Sequence, residues 1–249
     1  MSSYIVIPAR LLSTRLPEKL LLSETGKPLI QHTYEAAQQA QRPVGVCVAA
    51  DDEKIAIAVR EFGGEVVLTD PAAPSGTDRV AEVARGLNEI EIIVNLQGDE
   101  PEISGTVIDQ VIELLENQPT AVMATLATPI RSRQQLEDPA CVKVVFDTEG
   151  RALYFSRSVI PHPRDWKDRL LESDPACFFQ HIGLYAYRRE FLLQLAQMPP
   201  APLEQVESLE QLRVLAAGET ILVGICHETT VGIDTLEDYQ AFVSRQQKG

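Results

Sequence analysis

The chain has 249 residues, 45% apolar and 23% charged, enough for one large domain or two modest ones with a proper core, and not the composition of a disordered protein. Its 22 basic and 36 acidic side chains give a formal charge of -14, which excludes the electrostatic footprint of a nucleic-acid binder and suits an anionic membrane surface poorly. No apolar run approaches the ~20 residues that span a bilayer, and the opening Ile5-Val6-Ile7-Pro8 is too short for a signal-peptide core, so the expected location is the cytoplasm.

In chain order, Tyr4 to Pro8 reads as a short buried strand, followed by a polar loop from Ala9 to Lys19. Ile30 to Gln41 has helical spacing, and Val44 to Ala49 is a second strand. Asp52 to Phe62 is a helix that Asp51 or Asp52 would cap, with Gly63-Gly64 as its stop. Glu65 to Leu68 is a strand, Thr77 to Leu87 a helix, Ile92 to Leu96 a strand, and Ser104 to Asn117 a helix. This βαβα rhythm predicts an α/β fold, a mostly parallel sheet with helices on both faces. Ligands of such sheets gather in the crevice at the carboxyl ends of the strands.

The second half is less regular. Val122 to Ala127, Val142 to Phe146 and Ala152 to Phe155 read as strands, and Pro161 to Pro175 as a long surface excursion. Gly183 to Tyr187 is a strand, Arg189 to Ala196 a helix, and Pro199 to Pro202 a stop. Leu203 to Ala217 reads as one strong amphipathic helix, Ile221 to Ile225 as a strand, and Leu236 to Arg245 as the terminal helix. No linker or repeat divides the chain, which predicts a single domain over 1–249 with a subdomain near 150–225. The four cysteines (Cys47, Cys141, Cys177, Cys226) form no C-x-x-C pair and are expected to be buried free thiols.

In so acidic a chain, a polyanion must be held by local cations or metal ions against an unfavourable field. The loop from Pro8 to Lys19 places Arg10, Arg15 and Lys19, with Ser13 and Thr14, directly after the first strand, where they could wrap a triphosphate. A solvated surface loop is the alternative. Asn95-Leu96-Gln97-Gly98-Asp99 ends the fourth strand; Asp99, after a glycine that lets the backbone approach a ligand, suits a metal site beside phosphates, or else forms a turn capping the next helix. Asp234, in Gly232-Ile233-Asp234-Thr235, reads first as an N-cap. It becomes a metal-ligand candidate only if the fold brings it beside Asp99. Ser75-Gly76-Thr77-Asp78-Arg79 opens a helix and offers N–H groups and hydroxyls to a base or phosphate, or serves as a capping turn. There is no P-loop, no G-x-G-x-x-G, no G-x-S-x-G and no histidine pair with metal spacing.

Taken as an ordered set, these segments resemble the 3-deoxy-manno-octulosonate (Kdo) cytidylyltransferases nearly end to end. The matching stretches include I-P-A-R at 7–10, S-T-R-L-P at 13–17, S-G-T-D-R at 75–79 and N-L-Q-G-D-E-P at 95–101. They continue with A-L-Y-F-S-R at 152–157, H-I-G-L-Y-A-Y-R at 181–188, L-E-Q-L-R at 209–213 and V-G-I-D-T at 231–235. The resemblance implies a Rossmann-like, glycosyltransferase-A-like nucleotide-diphospho-sugar transferase fold, Mg2+ dependence and a homodimer formed through the second-half subdomain. It implies CTP and Kdo as substrates and CMP-Kdo, for lipopolysaccharide synthesis, as product. By position, Arg10, Arg15 and Lys19 would grip the CTP phosphates, and Ser75, Gly76 and Arg79 would help to bind the nucleotide. Asp99 and Asp234 would ligate magnesium, and Gln97, Arg157, His181, Tyr185, Glu210 and Gln211 would line the sugar pocket. One departure falls in a sensitive place: the family usually reads P-G-K-P where this chain has Pro17-Glu18-Lys19-Leu20. Glu18 pointing inward would weaken CTP binding; pointing outward, it would be harmless.

Overall fold

A computed structural model describes residues 1–13, 15–228 and 232–247. Thr14 of the loop and Val231 of the last motif lie outside the described residues. Strands β1 (Ser3–Ala9), β2 (Val46–Ala50), β3 (Val66–Leu68) and β4 (Ile92–Asn95) alternate with helices α1 (Leu29–Ala37), α2 (Glu53–Glu61), α3 (Gly76–Ala84) and α4 (Gly105–Asn117). All of β2 and β4 is buried, as befits parallel strands covered on both faces. Asp52 caps α2, its side chain accepting the Lys54 N–H, and Gly63 ends the helix at φ +79°. Ser75 and Ser104 cap α3 and α4 in the same way.

The chain continues through β5 (Met123–Pro129), α5 (Arg133–Glu137), β6 (Lys143–Phe146), β7 (Ala152–Ser156), β8 (Phe179–Arg188), α6 (Arg189–Leu195), α7 (Pro202–Glu207), α8 (Gln211–Ala216), β9 (Ile221–Ile225) and α9 (Leu236–Gln246). The sheet runs β3-β2-β1-β4-β8-β5-β9, with β6 and β7 as a hairpin joined to β8. Strands β3, β2, β1 and β4 are parallel, β8 is antiparallel to both its neighbours, and β5 and β9 are parallel. The sheet is thus mixed. Alternation along β1 sends Ile5 and Ile7 to a core shared with α1, α2, α4 and α9, and Val6 to one shared with α3, α6 and α8. Among the described residues, no helix is long and apolar enough to cross a membrane.

The second half departs from expectation in three places. The helix expected over 203–217 is two short ones, broken at Ser208, which adopts φ +53°. Nine residues of straight helix would set Glu204 and Arg213 about 13 Å apart along the axis. The break instead lets Arg213 donate from Nε to Glu204 Oε2 at 2.8 Å and from NH2 to Glu204 Oε1, while NH1 meets the Leu195 and Met198 carbonyls. Strand β8 is ten residues long, with a bulge opposite Thr125 and Leu126 that takes up Gly183 and Leu184. The polar excursion before it covers a small satellite core of Ile130, Leu136, Cys141, Leu171 and Phe178. All four cysteines are free, but Cys177, just after that excursion, is exposed rather than buried.

Candidate active site

The strand order reverses at β1 and β4: β2 pairs with one side of β1 and β4 with the other. The loops leaving these two strands diverge there and open a cleft of about 460 Å³. Arg10, Ser13, Arg15 and Lys19 line it from the β1 loop, Gln97 and Asp99 from the β4 loop, and Ser75 and Gly76 from the start of α3. Asp234 and Glu210 reach it from far along the chain.

Lys19 lies at the centre. A single turn of 3-10 helix over Lys19–Leu21 buries its side chain, and Nζ donates to Asp99 Oδ2 at 2.6 Å and to the Ile233 carbonyl at 2.6 Å. Asp234 Oδ1 is 3.4 Å from the same ammonium and accepts from Arg15 NH2 at 2.9 Å. The two carboxylates converge because the Ile233 N–H donates to the Asp99 carbonyl at 2.9 Å. The capping alternatives for both fail. Thr235 caps α9, in a reciprocal box with Asp238, and leaves the Asp234 carboxylate free to face the cations. Ser104 caps α4, so Asp99 is equally free of that duty. Gly98 is needed for a close approach, but to the protein itself: a Cβ there would sit 3.3 Å from the Pro8 carbonyl oxygen and from Leu20 and Ile30.

Glu18 points away from the cleft. It occupies the left-handed region at φ 49°, a conformation that favours glycine, and its carboxylate accepts from Lys54 Nζ of α2 at 2.9 Å. Ser75 lines the cleft and caps α3, accepting the Asp78 N–H and donating to Asp78 Oδ2, so the turn does serve as a cap.

Next to the cleft's Glu210, along β5 and β8, lies a layer of uncharged polar groups that are largely buried. Thr125 Oγ1 lies 3.0 Å from His181 Nε2 and 2.8 Å from the Leu184 carbonyl. A carbonyl only accepts, so the hydroxyl donates its one hydrogen there and accepts from His181, which fixes the Nε2–H tautomer. Burial pulls His181 down to about 3, well below the usual imidazole range. Tyr185 is tilted against it with centroids 5.3 Å apart; burial and the Glu210 carboxylate both push its phenol up. Gln211 is buried beside Tyr185, with its Nε2 lacking a hydrogen-bond partner, and follows directly on cleft-lining Glu210.

Five residues assigned to the site by position do not line the cleft: His181, Tyr185 and Gln211 lie in the buried layer just described, and Arg79 and Arg157 are engaged elsewhere. Arg79 is fully buried and gives NH1 to Thr69 Oγ1 at 2.5 Å and to the Asp70 carbonyl at 3.1 Å. Arg157 spends its guanidinium on the carbonyls of Glu207, Pro139 and Ser208, tying β7 to the break between α7 and α8. Sequence reasoning missed the Ile233 carbonyl and buried Thr125, whose only sign was a hydroxyl inside an apolar strand.

A cytidylyltransferase family model matches residues 4–221. The 3-deoxy-manno-octulosonate cytidylyltransferase of Rhodopirellula baltica is 52% identical over 98% of both chains. That of Geotalea daltonii is 48% identical over 96% of both. The 8-amino-3,8-dideoxy-manno-octulosonate cytidylyltransferase of a Shewanella species is 45% identical over 96% of both. Among solved structures, CMP:2-keto-3-deoxy-manno-octonic acid synthetase complexed with CTP superposes with a TM-score of 0.92 at 41% identity, covering 100% of this chain and 99% of that one. A cleft at the strand-order reversal, cations and paired carboxylates within it, and this agreement along the whole chain lead to one assignment: the chain belongs to the 3-deoxy-manno-octulosonate cytidylyltransferases.

Proposed function

We propose that this protein transfers CMP from CTP to the anomeric hydroxyl of Kdo, giving CMP-Kdo and pyrophosphate. The observation that carries the reading is the cluster in which Lys19 and Arg15 share Asp99 and Asp234 at the mouth of the parallel sheet. The hydroxyl oxygen bonds to the α-phosphorus and loses its proton to solvent, the bond from that phosphorus to the β-phosphate bridge breaks, and pyrophosphate leaves with the electron pair. Arg10, Arg15 and Lys19 bind the phosphates and offset the charge that grows on the leaving group. Ser75 and Gly76 take the nucleoside end. Gln97, His181, Tyr185, Glu210 and Gln211 face the sugar; His181, uncharged at working pH, offers Nδ1 as an acceptor.

Asp99 and Asp234 suit Mg2+: both are hard oxygen donors, and both already approach a single cationic centre, the Lys19 ammonium. Among the described residues no third acidic, histidine or cysteine side chain joins them, which suits an ion that takes its remaining ligands from phosphate and water. When bound there, it would screen phosphate charge and acidify the sugar hydroxyl. The reaction belongs in the cytoplasm, where CTP is made, and its product serves lipopolysaccharide synthesis. The working form is a homodimer joined through the 150–225 region, a reading supported by Leu153, Leu203 and Val206, which are all exposed there.

The test is pyrophosphate release from CTP and Mg2+ with Kdo, its 8-amino analogue or N-acetylneuraminate as acceptor. Release with Kdo, abolished by EDTA, supports the reading. Preference for the 8-amino sugar moves the assignment to the neighbouring activity, and no release with any acceptor overturns it.

A further inference from the structure

Two adjacent aspartates follow β2, and α2 needs only one cap. Asp52 supplies it. Asp51 turns to the loop after β1: its own N–H donates to the Ala9 carbonyl at 3.2 Å, and its Oδ1 accepts the Leu11 N–H at 2.8 Å. These two bonds straddle Arg10. The backbone on either side of a cleft cation is therefore fastened to the end of the neighbouring strand. Behind Asp51 lies Arg79, whose NH2 is 3.8 Å from Asp51 Oδ2. Neither NH2 nor Nε of this buried guanidinium has a hydrogen-bond partner. Burial disfavours its charge, Asp51 is the main carboxylate offsetting that, and the Arg10 cation works against it. Asp51 thus stands as one negative charge between a buried guanidinium and an exposed one.

We propose that Asp51 is a positioning residue for nucleotide binding: through Ala9 and Leu11 it presets the backbone that aims Arg10 at the phosphates, with Arg79 as its buried support. The proposal rests on the reading above that Arg10 meets the triphosphate. Residues 10–13 have no helix or ladder of their own, so without Asp51 the cost of ordering them would fall on the binding step. A purely structural Asp51, holding only the β2–α2 turn, would act regardless of Arg10.

The experiment is a double-mutant cycle on the full-length enzyme, with the CTP dissociation constant read by calorimetry and KM for CTP and Kdo read separately. Asp51→Ala should weaken CTP binding about 10- to 100-fold, the range for a hydrogen bond to a charged group, and leave KM for Kdo within about 2-fold. In an Arg10→Ala background the same substitution should add no more than about 2-fold. Asp51→Asn, whose amide oxygen still accepts from Leu11, should recover most of the affinity and serves if the alanine variant does not fold. Equal losses in both backgrounds, or Asp51→Ala at wild-type affinity in an enzyme that turns over Kdo, would overturn the proposal and leave the function standing. Arg10→Ala at wild-type affinity would overturn both the phosphate role of Arg10 and the route from Asp51 through it.

Discussion

The charged wall of the cleft and the buried polar wall along β8 beside it solve different problems with different chemistry. On the β1–β4 wall, Arg15, Lys19, Asp99 and Asp234 are charged, and their partners in the cleft are largely one another. On the β8 wall, Thr125, His181, Tyr185 and Gln211 are uncharged, mostly buried, and directed by backbone carbonyls and ring packing. A triphosphate brings several charges at once to a protein of formal charge -14, and can be received only by groups that exchange one ionic partner for another. A sugar brings hydroxyls, which are told apart by donors and acceptors whose direction is already set. One wall is built to swap partners, the other to keep them.

The sharpest way to break this contrast is at Asp99. Asp99→Ala should lower kcat by about 10³-fold or more, the scale of losing a principal electrostatic contact of the transition state, with the melting temperature little changed. Steady-state pyrophosphate release reads it. A variant that kept a tenth of its activity would show that the charged wall only binds.

For the neutral wall the test is pH. His181 titrates near 3 in the folded protein against about 6.5 unfolded. The unfolded chain therefore binds the extra proton between these values, and stability falls as pH drops through 6.5 towards 3. At pH 4.5 this single group should have removed roughly 2–3 kcal/mol of the stability present at pH 7.5. Urea unfolding of the wild type and His181→Gln at the two pH values isolates it: the variant should lose less by that amount. Identical pH slopes would mean that His181 is already charged or solvated, and that the wall is not neutral.

The parallel half was legible because β1, β2 and β4, buried on both faces, read as unbroken apolar runs and three of the four helices start at a Ser or Asp cap. The cation loop stood out only because the rest of the chain is so acidic. What stayed hidden depended on contacts far apart in sequence. Leu203 and Val206 suggested an apolar helical stripe, yet Val206 is 83% exposed, and the helix breaks where Glu204 and Arg213 pair. Asp51 and Asp52 were indistinguishable as caps until the β1 loop was seen to claim one of them. Arg79 and Arg157 carry the charge expected of pocket residues, but the structure spends it internally.

A smaller effect tests how Glu210 is delivered to the cleft from the rim of the neutral wall. Ser208 pays for the break in backbone strain at φ +53°. Ser208→Gly should stabilise the fold by up to about 1 kcal/mol, and Ser208→Val should destabilise it by about 1–2 kcal/mol while raising KM for the sugar. Chemical denaturation together with KM for Kdo follows both. Loss of stability in the valine variant without any change in KM would separate the break from the sugar side.

The smallest expected effect is at Glu18, which sits beside Lys19 in the sequence but points away from the charged wall. Glu18→Gly relieves a left-handed residue, worth about 1 kcal/mol, but gives up an exposed ion pair with Lys54 worth at most about that much and adds backbone freedom to the unfolded chain. These terms nearly cancel, so stability should move by no more than about 0.5 kcal/mol. Because the carboxylate faces α2 rather than the cleft, KM for CTP should stay within about 2-fold at low salt, where any charge effect on a triphosphate is largest. A tenfold drop in KM would mean that Glu18 turns inward when the nucleotide arrives, and tunes the enzyme by holding the phosphates back.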